Sequence, residues 1–340
     1  MKQNARRRLN VLIAISAGFL VAPLQAQVPP PETQRISFQI ATGPVSGSYM
    51  RVGEAVARII SNPPGLARCE TDGVCGPEGL IATSRSSSGS IANVFAVNAG
   101  RVKSALVQGD ILANAYDGEG PFKATGALSD LRAIARLHDE TLHLVVSPKS
   151  RIKKLRDLAG KRVSIDAETS ATNQTVRTLL AAAGINANRL RLSFLSGEQA
   201  SEAMRNGKLD AFFVIGVAPI RSVDSVVRRE LGRVIAIDTK AIGVLARRNP
   251  LLSKTVLAAD TYRSSKAVAT LNVASVWVVN KSMPNDVTYA VLRSLWNPAN
   301  RVELKRLGRA AASIDAARAS ENLPVPLHEG AQRFYAEAGR

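Results

Sequence analysis

The chain has 340 residues, of which 46% are hydrophobic and only 4% aromatic, and its formal net charge is +18. This composition excludes disordered, collagen-like and disulfide-dense proteins. A single hydrophobic core stops growing near about 250–300 residues, so the length predicts two domains. The basic residues are scattered rather than grouped with aromatic side chains. This pattern argues against a nucleic-acid partner and favours encounters with small anions.

Residues 1–26 have the pattern of a cleavable export signal. A basic start containing Arg6, Arg7 and Arg8 precedes an almost continuously apolar run over 9–21, and the sequence Pro-Leu-Gln-Ala over 23–26 offers a cleavage site after Ala26, although Leu24 stands where a small residue is preferred. A membrane anchor is the alternative, but a bilayer-spanning helix needs about 20 apolar residues and this run is shorter. We therefore predict that the chain is exported.

The two cysteines, Cys69 and Cys75, are close in sequence and have no histidine beside them. In an exported chain this spacing favours a structural disulfide over a metal site. Two free thiols are the alternative.

Strand and helix patterns alternate along the rest of the chain. Apolar strand patterns cover 36–41, 80–83, 105–108, 131–137, 142–147, 162–165, 190–195, 211–215 and 275–280, and helical patterns cover 49–60, 91–98, 174–183 and 197–205. The two strands on either side of His138, Asp139 and Glu140 are expected to be joined through these polar residues. The alternation predicts an α/β protein with parallel sheets covered on both faces, and ligands at the carboxyl ends of the strands.

Three polar segments rich in hydroxyl side chains each lead into a helix, at 42–48, 86–90 and 168–173. A helix start presents unpaired N–H groups and the positive end of the helix dipole, so it attracts an anion without any Lys or Arg. Ordinary N-capping is the alternative for each segment taken alone. Three such segments at equivalent places predict a shared anion site.

Catalytic patterns are absent from the sequence. None of the three histidines has a partner nearby in sequence that would form a catalytic group, and His143, within an apolar strand, is expected to be a satisfied core residue. No Gly-x-Ser-x-Gly, His-Glu-x-x-His or nucleotide-binding glycine pattern occurs. We therefore predict a binding protein rather than an enzyme, with no cofactor and no metal.

Three segments between 40 and 165 carry a family resemblance. They read IATGPVSGSYMRVGEAVARI, SSSGSIANVFAVNAGRVKSALVQGDILANAYDGEGPF and LRAIARLHDETLHLVVSPKSRIKKLRDLAGKRVSI. This order resembles the TAXI family, the solute receptors associated with TRAP transporters, and the resemblance extends over about 36–296. It implies a periplasmic binding protein of the type II fold. Such a protein has two α/β lobes, crossing hinge strands and a small carboxylate in the cleft between the lobes.

The resemblance, taken with the three polar segments, also implies which residues contact the ligand. The candidates are Thr42, Gly43, Gly47, Ser48, Tyr49, Arg51, Ser88, Gly89, Ser90, Gln108, Ser170, Thr172, Asn173, Val217 and Ala218. The sequence departs from the family pattern at Pro44, Met50, Arg51 and Ala171. Arg51 is expected either to reach a second carboxylate of the ligand or to pair with Glu54 on the surface.

The expected organisation is a lobe formed by 35–140 plus 281–340 and a second lobe formed by 141–280. The expected function is capture of a glutamate-like amino acid, a dicarboxylate or a 2-oxo acid, followed by delivery to a TRAP membrane permease. The alternative is a ligand sensor of the same fold that signals to a membrane partner. We expect a monomer whose partners are a small anionic ligand and the permease subunits.

Overall fold

The computed structural model of this chain describes residues 35–263 and 265–339. The predicted signal peptide over 1–26 lies outside these residues. Within the described part of the chain, no helix is both long and apolar enough to cross a lipid bilayer.

Strands and helices alternate along most of the described chain. The strands are β1 Ile36–Ala41, β2 Leu80–Arg85, β3 Ser104–Gln108, β4 Leu131–Val146, β5 Arg162–Ser164, β6 Arg191–Ser193, β7 Ala211–Gly216, β8 Arg233–Ile235, β9 Leu252–Leu257 and β10 Val268–Asn280. The α-helices are α1 Ser48–Ile60, α2 Ser90–Asn98, α3 Gly109–Asp117, α4 Ala171–Ala182, α5 Gly197–Arg205, α6 Arg221–Val227, α7 Thr239–Arg248, α8 Asn285–Leu295, α9 Arg301–Arg306, α10 Arg309–Ala312 and α11 Glu329–Glu337.

The ten strands form one hydrogen-bonded sheet in the order β2-β1-β3-β10-β4-β7-β5-β6, with β8 paired to β4 and β9 to β10. β1 is parallel to β2 and to β3, and β5 is parallel to β6 and to β7. Between these two groups lie the long strands β4 and β10, which pair antiparallel to each other. We call β4 and β10 the crossing pair, because both parallel groups are attached to it.

Buried apolar side chains form four clusters along this sheet. Successive side chains of a strand point to opposite faces, and Leu144 and Val145 of β4 accordingly belong to different clusters. Leu106 and Val107 of β3 divide in the same way. Both faces of each parallel group are therefore covered, as the alternating sequence pattern predicts.

Two sequence predictions about the strands are wrong. Residues 138–140 do not join two strands, because β4 runs without a break from Leu131 to Val146. The sheet is mixed rather than parallel, because the crossing pair runs antiparallel to β3 and β7. Polar side chains stay in the middle of β4 because tertiary contacts supply them with partners. The predicted division of the chain into two lobes remains a prediction.

Two other sequence predictions are confirmed. Cys69 and Cys75 form a disulfide. His143 is buried and paired, since Nδ1 lies 2.9 Å from the Thr141 carbonyl oxygen and Nε2 lies 3.0 Å from the Tyr262 hydroxyl. Burial lowers the pKa of this histidine to about 4.

Helix α1 packs closely against the sheet. Its buried residues Val52, Val56 and Ile59 recur at helical spacing and face the core. Gly53 lies on the same side, and a Cβ atom added there would collide with the methyl group of Thr42. The missing side chain of Gly53 thus lets the first turns of α1 approach the carboxyl end of β1.

This close approach makes a testable prediction about stability. We expect Gly53→Ala to lower the free energy of unfolding by about 1–3 kcal/mol, because the added methyl group overpacks a filled core. Gly243→Ala is the matched control, since a Cβ added to this helical glycine would meet only the ends of the flexible Arg247 and Lys254 side chains at ordinary van der Waals distance, and it should gain up to about 1 kcal/mol from helix propensity. Urea unfolding of the two variants measures both values. Equal effects would contradict the close packing of α1.

Candidate functional site

The predicted ligand segments all follow strands at their carboxyl ends. The segment after β1 leads to α1, the one after β2 leads to α2, and Gln108 ends β3. In the other parallel group the segment after β5 leads to α4, and Val217 follows β7. Parallel strands end at a common edge, which is where α/β proteins place their ligands.

The starts of α1 and α2 leave N–H groups without side-chain caps. The N-cap residues are Gly47 and Gly89, neither of which makes a capping hydrogen bond, and neither helix has an acidic residue in its first turn. Gly89 has φ 107°, which an L-residue rarely adopts. These two helix starts therefore offer donors to an anion.

Thr42 and Gly43 hold the loops in place. The Thr42 hydroxyl donates to the carbonyl oxygen of Arg85 at 2.7 Å, and the carbonyl oxygen of Thr42 accepts from Asn93 at 2.7 Å. The Gly43 carbonyl accepts from the backbone N–H of Ser87. The side chain of Thr42 is thus committed to linking the segment after β1 to the segment after β2.

Glu140, in the middle of β4, lies among several predicted ligand residues. It is 4% exposed, and its carboxyl group accepts hydrogen bonds from the Ser48 hydroxyl and from Nε2 of Gln108, the latter at 3.3 Å. Burial raises the pKa of Glu140 above its ordinary value, and the Asp110 carboxylate acts in the same direction. Burial also raises the pKa of Asp110, whose carboxylate accepts from Thr175 of α4 at 2.5 Å.

Two buried polar atoms lie beside Glu140. The side-chain oxygen Oε1 of Gln108 has no hydrogen-bond donor among the described residues, and the hydroxyl of Tyr49 lies against Glu140 and Ser90. Burial, followed by the charge of Glu140, raises the pKa of Tyr49. The ring of Tyr49 meets the buried ring of His138 edge-on at 5.8 Å. We call Tyr49, Gln108, Asp110 and Glu140 the acceptor cluster.

The Ser90 hydroxyl is engaged within the protein. Its oxygen accepts the backbone N–H of Gln108 at 3.0 Å, so it joins the start of α2 to the end of β3. The hydroxyl also lies beside that of Tyr49. Ser88 is exposed.

Helix α4 begins with a side-chain cap. The Ser170 oxygen accepts from the backbone N–H of Asn173 at 3.1 Å. Ordinary helix capping therefore explains the Ser170 hydroxyl in the polar segment 168–173. The hydroxyls of Ser170 and Thr172 also lower the pKa of Asp166, although its burial has the larger effect and raises it. Asn173 is fully buried, and its side-chain oxygen accepts from Arg177.

Contacts between the two parallel groups bring some of these residues together. Thr175 of α4 bonds to Asp110 of α3, and Ala171, at the start of α4, belongs to the apolar cluster that also contains Val107. Val217 packs against the cluster that contains Trp277. Ala218 instead packs within the second group, beside its cis peptide bond to Pro219.

Arg51 is exposed on α1, and no ion pair joins it to Glu54 within the described residues. The expected surface pair with Glu54 is therefore not formed. The other expectation for Arg51, contact with a second carboxylate of the ligand, remains a prediction.

The sequence prediction missed Glu140 and left Asp110 out of the candidate contacts. Glu140 lay in a polar triplet that interrupts two apolar runs. The sequence signal that could have identified Glu140 is the alternation of side chains between the two faces of a strand. If 131–146 is taken as a single strand, His138 and Glu140 lie on the same face.

Within residues 35–263 and 265–339, no group of three or more His, Cys, Asp or Glu side chains is placed to hold a metal ion.

Two parallel α/β groups on an antiparallel crossing pair, with helix starts and buried polar groups at the strand ends, form the fold of type II periplasmic binding proteins. A family model matches residues 40–339 of the chain. The chain belongs to the NMT1-like family, so the membership in a solute-receptor family predicted from the sequence is confirmed. This family and fold are those of binding proteins rather than enzymes.

Solved structures support the fold. A protein from Bordetella bronchiseptica RB50 is 17% identical with a TM-score of 0.50, covering 89% of this chain and 98% of its own. XAC2383 from Xanthomonas citri, bound to ATP, is 13% identical with a TM-score of 0.52, covering 88% and 98%. MatC from Rhodopseudomonas palustris, with bound malate, is 12% identical with a TM-score of 0.50, covering 88% and 97%.

The burial of Glu140 predicts a pH-dependent effect on the empty protein. Because its pKa in the folded state is raised above the ordinary 4.5, the stability that it contributes is present at low pH and is lost as the pH rises. We therefore expect Glu140→Gln to raise the melting temperature at pH 7.5, with the gain shrinking toward pH 4.5. Scanning calorimetry across this range tests the prediction.

Asp139, the neighbouring carboxylate on β4, provides the matched control. It pairs with the buried Arg136 at 2.7 Å, and Asp139→Asn should lower stability at pH 7.5 because it leaves this guanidinium unpaired. A Glu140→Gln variant less stable than the wild type at pH 7.5 would contradict the electrostatic cost assigned to Glu140.

Proposed function

We propose that this protein is an exported solute receptor of the periplasm that captures a small carboxylate and delivers it to a TRAP-type membrane permease. Residues 35–140 plus 281–340 form one lobe, 141–280 form the other, and the ligand lies between them. The observation that carries the proposal is the placement of the starts of α1, α2 and α4 at the carboxyl ends of strands on both sides of the crossing pair.

The carboxylate is held by uncharged donors. Backbone N–H groups at the starts of α1 and α2 bind one side, and the hydroxyls of Ser88, Ser90 and Thr172 complete the site. Hydroxyls and amides attract an anion through oriented dipoles. They leave no buried cation unpaired when the ligand departs, which suits a receptor that releases its cargo.

Two further observations support a small acid as the ligand. MatC, which has the same fold, has bound malate, a small dicarboxylate. The exposed Arg51 stands on the first turn of α1 without a partner among the described residues, where it is available for a second carboxylate. The candidates are a glutamate-like amino acid, a dicarboxylate or a 2-oxo acid.

The first test is a thermal-shift screen of small carboxylates on protein freed of endogenous ligand by unfolding and refolding. A ligand at about 100 times its Kd adds roughly 2.7 kcal/mol of stability. With an unfolding entropy of about 2.1 cal/mol/K per residue, this raises the melting temperature of a chain of this size by roughly 4 °C. A screen in which no carboxylate shifts the melting temperature would contradict the proposal.

A pair of variants in α4 tests the site itself. Thr172→Val removes a buried hydroxyl at the helix start, and we expect at least tenfold weaker binding of the carboxylate found in the screen, since a hydrogen bond to a charged group contributes about 1.5–3 kcal/mol. Thr178→Val, in the same helix, removes an exposed hydroxyl bonded only to the Gln174 carbonyl and should leave the affinity unchanged. Calorimetric titration measures both.

Each hydroxyl also has a structural contact, because Ser90→Ala removes the acceptor of the Gln108 N–H and Thr172→Val removes the contact with Asp166, so the stability of each variant is measured beside its affinity. If Thr172→Val leaves the affinity unchanged and lowers only the stability, the hydroxyls at the start of α4 act as caps alone.

Delivery to a permease is tested by uptake of the labelled ligand in cells lacking this protein. Normal uptake combined with a lost transcriptional response would indicate the sensor function instead.

A further inference from the structure

The amino ends of β5, β6, β7 and β8 lie at one edge of the sheet. β4 ends at this edge, since Val146 pairs with Ala211 at the start of β7 and with Arg233 at the start of β8. β5 and β6 run parallel to β7 and begin beside it. The predicted ligand residues of this parallel group instead follow the opposite, carboxyl ends of β5 and β7.

Residues 147–162, which lead from β4 into β5, make this edge basic. They contain seven Lys and Arg residues but one acidic residue, Asp157. The Asp157 carboxylate accepts the backbone N–H groups of Lys153 and Lys154, at 2.9 and 3.1 Å. One carboxylate held by its own turn cannot neutralise seven cations, so the segment keeps a large excess of positive charge.

Neighbouring segments add further basic residues to the same edge. The N–H of Gly160 donates to the carbonyl oxygen of Arg189 at 2.7 Å, which holds 187–191 against the basic segment. The guanidinium group of Arg233 donates to the carbonyl oxygen of Ile152 at 2.9 Å. We call the exposed Lys and Arg side chains of 149–156, 189–191, 208 and 233 the basic face, which has nine members.

The basic face lacks acidic partners. Among the residues that the structure describes, none of its nine side chains forms an ion pair with Asp or Glu. The other acid at this edge, Asp210, pairs with Arg162 at 2.7 Å. Gathered like charges repel one another and raise the positive potential of the surface, which attracts anions. The face therefore suits a negatively charged partner.

The width of the basic face indicates which kind of anion it fits. It crosses five neighbouring strands in the order β8-β4-β7-β5-β6, which at about 4.8 Å between strands spans roughly 19 Å. A single small anion contacts few of these cations, whereas a surface of many anions contacts them together. Segments 147–162, 187–191 and 207–210 contain no aromatic residue, and stacking on aromatic side chains is how proteins bind single-stranded nucleic acids.

We propose that the basic face binds the surface of a lipid bilayer that contains anionic phospholipids. Each Lys or Arg near such a surface is attracted to the headgroups, and the contributions of the nine side chains add together. A protein attached through the amino ends of β5–β7 keeps the carboxyl ends of these strands away from the lipid. The inference is therefore compatible with ligand exchange at that edge and does not depend on the chemistry of the ligand.

The experiment is sedimentation of the exported protein with two kinds of vesicle, one of equal parts phosphatidylglycerol and phosphatidylcholine, the other of phosphatidylcholine alone. We expect binding to the first kind only, and a loss of about tenfold or more when salt is raised from about 50 mM to about 500 mM, because salt screens exposed charges. Equal binding to both kinds, or binding insensitive to salt, would show an apolar attachment and overturn the proposal. Absence of binding to the anionic vesicles would also overturn it and indicate an acidic protein surface as the partner.

Two variants with the same loss of charge locate the binding. The first neutralises one Lys and three Arg of the basic face, by Lys149→Gln, Arg156→Gln, Arg189→Gln and Arg191→Gln. The control neutralises one Lys and three Arg exposed on α9 and α10, by Arg301→Gln, Lys305→Gln, Arg306→Gln and Arg309→Gln. We expect the first to weaken binding to the anionic vesicles by about tenfold or more and the control by less than about twofold. Equal losses would show attraction by net charge alone and overturn the assignment to the basic face.

The melting temperatures of both variants should match that of the wild type, because all eight side chains are exposed. If the first variant does not fold, Lys149→Glu combined with Lys208→Glu reverses two charges of the same face and should also weaken binding. Wild-type affinity in a folded basic-face variant would place the membrane contact elsewhere on the chain and overturn the proposal.

Discussion

The antiparallel pairing of β4 with β10 is the constraint on which the rest of the structure depends. Residues 131–141 of β4 pair with 280–272 of β10, and both parallel groups attach their strands to this pair. The pair thereby fixes where the carboxyl ends of β1–β3 lie relative to those of β5–β7. It also carries His138 and Glu140 into the site. The position of every candidate ligand residue therefore follows from the register of two strands distant in sequence.

The site combines two kinds of electrostatic environment. Helix starts provide oriented dipoles without a net charge, which stabilise an anion at small cost to the empty protein. The carboxyl groups of Asp110 and Glu140 are net charges that burial disfavours, and the pKa of each is raised accordingly. A protein keeps such a group when it contributes something other than stability.

The hydroxyl groups at the strand ends have two roles at once. Ser170 caps α4, Ser90 accepts the N–H of Gln108, and Thr42 ties two loops together. These bonds orient the hydroxyl groups and shape the loops at the strand ends. Contact with a ligand is the second, proposed role of Ser90 and Ser170.

The sequence by itself determined the features that depend on local patterns. Alternating strand and helix signals, the polar helix starts, the disulfide and the family followed from residues close together in the chain, and most predicted elements lie within a few residues of those observed. Tertiary structure alone decided that β4 continues through 138–140, that the sheet is mixed, and that Glu140 meets Ser48 and Gln108. The physical reason is that a polar triplet favours a loop unless distant residues supply its partners, and a single sequence does not contain that pairing.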